Sequence, residues 1–146
     1  MLRGNYAARI DDKARLKIPN AFRALVEKTH GSELFVTSLT GESVQIYPMP
    51  VWLALEERLA RAPSTLPSRK RFLDRTSYYG QAAEIDTQGR VLIHQRLRES
   101  AGMAGEVDVL GAVEHLDVWN HDRLVAKMLS DPYTDDDARA LAEYGI

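Results

Sequence analysis

The feature that most limits what this 146-residue chain can fold into is that it is written twice. Ala8-Arg9-Ile10-Asp11-Asp12-Lys13-Ala14-Arg15-Leu16-Lys17-Ile18 aligns, 75 positions on, with Ala83-Glu84-Ile85-Asp86-Thr87-Gln88-Gly89-Arg90-Val91-Leu92-Ile93, and Ile, Asp, Arg and Ile recur in register. With small shifts the pattern continues: Glu33-Leu34-Phe35-Val36 faces Glu106-Val107-Asp108-Val109, and Val44-Gln45-Ile46-Tyr47 faces Leu116-Asp117-Val118-Trp119. A duplicated chain folds as two related units. A unit of roughly 50 to 60 residues is near the size at which one core becomes marginal, so the halves are expected to interlock around a shared core.

Within each unit the apolar period switches between two and about 3.6, which separates strands from helices. Leu16 and Ile18 alternate with Arg15 and Lys17 as a half-buried strand does, and Pro19-Asn20 opens a helix with Phe22, Leu25 and Val26 on one face. Strands are expected over 33–37 and 43–47, then a helix from Pro50 carrying Trp52, Leu55 and Leu59. The second unit predicts strands over 81–85, 90–93, 106–111 and 115–119 and helices over 94–101 and 121–129, with Gly102 stopping the first of these. The turn-rich run Ala62-Pro63-Ser64-Thr65-Leu66-Pro67-Ser68 reads as a linker, and Ser68 as the cap of a connecting helix that starts Arg69-Lys70-Arg71. Asp135, Asp136 and Asp137 after Thr134 suit the first turn of a short acidic helix. The organisation is thus a first unit over 1–60, a linker and connecting helix over 61–79, a second unit over 80–130 and an acidic tail over 131–146.

Charge divides the same way. Residues 1–75 hold 13 Lys+Arg against 8 Asp+Glu, a balance of +5, whereas residues 76–146 hold 6 against 13, a balance of -7. Such asymmetry fits either a polyanion-binding front or ordinary variation of surface charge. With no cysteine, disulfides, thiolate metal sites and thiol nucleophiles are excluded. No apolar run reaches the length of a membrane helix and the start is polar, so a cytoplasmic protein without membrane contact is expected.

In both copies an aspartate opens a short connection and an arginine closes it, Asp11 to Arg15 and Asp86 to Arg90. The aspartate carboxylate can accept from main chain two residues on, so the pair can simply brace a turn. If the position before the arginine needs a left-handed conformation, Gly89 adopts it freely and Ala14 carries about 1 kcal/mol of strain. The copies differ in their cations. Arg9, Lys13, Arg15 and Lys17 alternate onto one face, whereas their counterparts are Glu84, Gln88, Arg90 and Leu92. Such a surface suits phosphate neutralisation, and a two-stranded ribbon fits a major groove where arginine meets guanine. Arg3 is a candidate backbone contact, and Lys70 and Arg71 read more naturally as solvated surface.

Met1-Leu2-Arg3-Gly4, the Ile10–Pro19 segment, Tyr47-Pro48-Met49-Pro50-Val51-Trp52 and Asp86-Thr87-Gln88-Gly89-Arg90, in this order, resemble the MraZ family of bacterial transcriptional regulators. The resemblance covers all but the acidic tail and departs at Ala14, where the family usually has glycine. It implies an α+β fold of two tandem AbrB-like units, forming a pseudo-dimeric swapped-hairpin β-barrel with peripheral helices. It further implies a nucleoid-associated regulator that binds short direct repeats in double-stranded DNA upstream of a division and cell-wall gene cluster, as a ring-shaped homo-oligomer. Arg15, with Lys13 beside it, takes the place of the family's functional arginine.

Two other classes compete. For an enzyme, His30, His94, His115 and His121 show no HExxH spacing and no nucleophile or Walker motif is present, so no catalytic residue, metal, cofactor or small-molecule substrate is assigned. Gly102-Met103-Ala104-Gly105 has the outline of an RNA-clamping GxxG loop, but without neighbouring cations a helix stop is the simpler reading. An oligomeric protein-interaction module could use Trp52, Trp119, Tyr78 and Tyr79, yet would gain nothing from a basic strand in one copy only.

Overall fold

The alternating and helical runs become eight strands and six helices, and a computed structural model describes all residues 1–146. In chain order these are β1 (Leu2–Arg9), β2 (Arg15–Lys17), α1 (Asn20–His30), β3 (Glu33–Thr37), β4 (Val44–Pro48), α2 (Met49–Arg61), α3 (Pro67–Tyr78), β5 (Gln81–Glu84), β6 (Arg90–Leu92), α4 (Gln95–Ser100), β7 (Glu106–Val113), β8 (His115–Asn120), α5 (His121–Ser130) and α6 (Asp135–Ala142).

Six strands form one antiparallel sheet in the order β1-β7-β8-β4-β3-β5, and β2 and β6 form a separate ribbon. The halves exchange strands. β1 pairs with β7 from Leu2↔Val113 to Arg9↔Glu106, and β5 pairs with β3 from Gln81↔Val36 to Glu84↔Glu33. At the centre β4 meets β8 through Val44↔Val118 and Ile46↔Leu116, and the ribbon is centred on Leu16↔Val91. Swapping the halves maps these pairings onto one another: Ile18 N–H donates to Gly89 O at 2.9 Å, and Ile93 N–H to Ala14 O at 3.0 Å.

The ribbon turns one face inward. Leu16, Ile18, Val91 and Ile93 are at most 1% exposed and join Val36, Val44, Ile46, Val107, Val109, Leu116 and Val118 of the sheet with Phe22 and Leu97 of the helices in one core of 19 buried residues. Both copies feed this one core, as expected for units too small to stand alone. Alternation then leaves Arg15, Lys17, Arg90 and Leu92 on the outer face.

The expected barrel does not close. The sheet is open, with β1 and β5 as its edges. β2 and β6 are three residues each, and the ladder that would join the ribbon to the sheet is reduced to a single bridge, Ile10↔Leu16. Local expectations need two corrections. Ser68 does not cap α3, which begins at Pro67 with Leu66 before it and no side-chain cap, because proline's fixed φ already suits the first helical position. Leu25 is 42% exposed, since Phe22 and Val26, four residues apart, suffice to seat α1. After α4, Gly102 takes φ +62 and Met103 N–H closes on Arg98 O at 2.9 Å, so the helix stops there. Thr134 and Asp137 form a reciprocal capping box at the start of α6. No helix is long and apolar enough to cross a membrane.

Candidate nucleic-acid interface

The two Asp-to-Arg loops are built alike. Asp11 Oδ1 accepts from Lys13 N–H at 3.0 Å and Arg15 N–H at 2.9 Å, and Oδ2 from Arg15 Nε at 2.9 Å. Asp86 Oδ1 accepts from Gln88 and Arg90 N–H, both at 2.9 Å, and Oδ2 from Arg90 Nε at 2.9 Å. Main chain closes each turn, Ala14 N–H to Asp11 O at 3.1 Å and Gly89 N–H to Asp86 O at 3.0 Å. The main-chain N–H of Arg15 or Arg90, seconded by its guanidinium, holds each carboxyl below its usual range. Bracing and presentation are one geometry here: each arginine spends Nε on its aspartate, and both Nη groups hydrogen-bond to nothing in the chain. A guanidinium so held offers its outer edge to a guanine or a phosphate without first being ordered.

The residue before each arginine is left-handed, Gly89 at φ +79 and Ala14 at φ +64. Ala14 therefore keeps the turn at a cost of about 1 kcal/mol.

The residues expected to form the site are only partly assembled. Lys13 is exposed at the tip of the first loop, and Arg15 stands on the ribbon opposite Leu92. Lys17 stands opposite Arg90, and its Nζ donates to Gln88 O in the second loop. Strand exchange thus carries a first-half cation onto the second-half loop, and the ribbon face Arg15, Lys17, Arg90 draws on both halves. Arg9 is exposed at the end of β1, in register with Glu106 and next to the Ile10–Leu16 bridge. Arg3 lies at the other end of β1 opposite Ala112, about 20 Å from Arg9 at the usual rise per residue, and does not join the ribbon. Lys70 pairs with Asp74 at 2.9 Å on α3.

Two cations escaped the sequence reading. Arg23 of α1 gives Nη2 to Thr87 O at 3.2 Å and Nε to Glu27 at 3.0 Å. Arg98 gives Nη1 to Ile93 O at 3.2 Å and shares with Asp11–Ala14 and Gly102–Gly105 a cavity of about 770 Å³. Both were findable, because Arg23 and Arg98 are also 75 positions apart and extend the repeat into the helices. The histidines do not converge. His121 Nδ1 lies 2.7 Å from Asp108 Oδ2, which raises its pKa and ties α5 to β7, while His115 stacks on Tyr47 at 4.4 Å, where burial lowers its pKa.

The duplication of loop, ribbon strand and helix is matched by the family comparison. The model described as "MraZ protein, putative antitoxin-like" matches residues 1–75 and again 80–143. This chain belongs to the MraZ family. Its second match runs into α6, so the family pattern reaches further into the acidic tail than the motifs alone indicate. Proteins named "Transcriptional regulator MraZ" from Acidobacterium capsulatum and Koribacter versatilis are 45% and 43% identical over the full length of both chains. One of the same name from Caldicellulosiruptor bescii is 32% identical, again over the full length of both. These three relatives are thus named as regulators of transcription.

Proposed function

We propose that this chain is a sequence-specific DNA-binding transcriptional regulator whose β2–β6 ribbon and Asp11 loop enter a major groove. The observation that carries the reading is the ribbon: one face is fully buried, and the other holds Arg15, Lys17 and Arg90 with the Nη groups of both arginines unspent. A two-stranded ribbon is narrow enough for that groove, and arginine can meet guanine O6 and N7 in a bidentate contact. Lys13 and Arg9 then serve the phosphates. Family membership supports the regulatory role, and the strand exchange supports the AbrB-like swapped-hairpin pseudo-dimer with its boundaries near 60, 80 and 130.

In this reading the protein is a binder rather than an enzyme, works in the cytoplasm on the nucleoid, and recognises short direct repeats upstream of its own division and cell-wall gene cluster. Three or four cationic contacts per chain give weak, salt-sensitive binding, so a ring of identical subunits supplies affinity by raising the effective concentration of each later contact. A gel shift on the protein's own upstream region across a salt series tests this. Steep loss with salt and discrete complexes only on intact repeats are expected. Uniform binding to any duplex would reduce the protein to nonspecific association, and no binding at low salt would favour a protein-interaction module.

A further inference from the structure

The two loops share their internal hydrogen bonds but not their surroundings. Around Asp86, every carbonyl of Thr87-Gln88-Gly89 is taken by a donor from the first half: Thr87 O by Arg23 Nη2 at 3.2 Å, Gln88 O by Lys17 Nζ, and Gly89 O by Ile18 N–H at 2.9 Å. Around Asp11, Ile93 N–H reaches Ala14 O at 3.0 Å, but no donor in the chain reaches the carbonyls of Asp12 or Lys13.

The repeat explains the difference residue by residue. Lys17 corresponds to Leu92, which has no donor, and Glu27, which orients Arg23 through a 3.0 Å contact at Nε, corresponds to Gly102. Arg98, the counterpart of Arg23, accordingly turns back onto Ile93 O instead of reaching across to the Asp11 loop. Space agrees with this: a Cβ added at Gly89 would lie 3.0 Å from Arg23 Nη1, whereas the matching position on the other loop already carries the Ala14 methyl.

We infer that Lys17 and Arg23 are positioning residues: they act on DNA through the Asp86 loop, which they fasten as a fixed platform, and leave the Asp11 loop as the adaptable reader. This rests on the ribbon being the DNA-binding face. Arg23 differs from Arg15 and Arg90 in that, besides Nε on Glu27, its Nη2 is taken by Thr87 O at 3.2 Å, which leaves less of its guanidinium for a phosphate. Lys17 differs from Lys13 in that its ammonium is anchored to protein, whereas that of Lys13 has no partner.

The salt dependence of binding separates the two roles. Removing a side chain that neutralises one phosphate should flatten the plot of log affinity against log salt by about 0.9. Removing a positioning residue should weaken binding at every salt concentration and leave the slope alone. Lys17→Met and Arg23→Met are therefore expected to bind a duplex from the protein's own upstream region about fivefold more weakly at unchanged slope, the scale of a single hydrogen bond. Lys13→Met is expected to flatten the slope. Without DNA, amide exchange at Gln88, Gly89 and Arg90 should quicken in both positioning variants while Lys13 and Arg15 keep wild-type rates. A slope change in Lys17→Met equal to that in Lys13→Met, or unaltered exchange in the Asp86 loop, would overturn the inference. If instead no variant, Arg15→Met included, alters DNA binding, the DNA reading fails, and the exchange data still decide whether the clamp exists.

Discussion

The Asp11 and Asp86 loops offer a comparison inside one molecule. Both use an aspartate to collect two main-chain amides and one guanidinium, at distances that agree within 0.1 Å, and both put a left-handed residue before the arginine. Yet one is held from outside by Lys17 and Arg23, and the other is held by nothing beyond Ile93 N–H. Duplication preserved what a turn needs to form and let the partners beyond the turn drift. Internal bracing therefore belongs to the fold of each unit, and external clamping is where the two units came to differ.

The largest expected effects lie where the halves remain equivalent. Ile18 and Ile93 occupy matching positions in the shared core, 1% and 0% exposed, so Ile18→Ala and Ile93→Ala should each cost about 2–5 kcal/mol by urea denaturation. A large inequality would mean that the core is not shared evenly. Next come the ribbon arginines. Arg15→Ala should cost about 1–3 kcal/mol of binding to the upstream duplex, with Arg90→Ala costing less because the Asp86 loop serves as platform. Equal losses would make both loops readers.

Smaller effects test the turn itself. Ala14→Gly should gain up to about 1 kcal/mol by relieving φ +64, and Gly89→Ala should lose at least that much, since its methyl must also displace Arg23. The smallest effect is in the pH profile. Both loop carboxyls are held below their usual range, so their contribution is complete above that range and disappears as pH falls through their folded values. Asp11→Asn and Asp86→Asn should flatten the acid limb of stability to the same degree. His121 works in the opposite sense: Asp108 raises its pKa, so its contribution is complete below the ordinary imidazole value and fades as pH rises through the folded one. His121→Gln should remove that alkaline decline.

Much of the fold could be read from the residues because it is encoded locally. β3 spans 33–37 as its alternation predicts, and Thr134 with Asp137 announces α6. Shared burial followed from the repeat, since neither unit could complete a core alone. What escaped was set by partners distant in sequence. Nothing near Lys17 indicates that its ammonium will meet Gln88, 71 positions away, because that pairing exists only through strand exchange. Leu25 carries the right period for the core, yet the helix is already seated without it. The barrel stayed open because closure depends on how far β2 and β6 continue, and a repeat does not state where pairing ends. Arg3 and Arg9 share a strand, but an extended strand sets them far apart.

The central claim, that the ribbon and Asp11 loop make the DNA-binding face, is tested most directly by two charge-matched double variants titrated against the same upstream duplex by fluorescence anisotropy. Lys13→Gln with Arg15→Gln removes two positive charges from that face, and Lys70→Gln with Arg71→Gln removes two from α3, which is part of neither the ribbon nor the Asp11 loop. The account predicts that the first pair abolishes specific binding and the second leaves it within about twofold of wild type, as expected when only general electrostatic attraction is reduced. Equal loss in both pairs would contradict it.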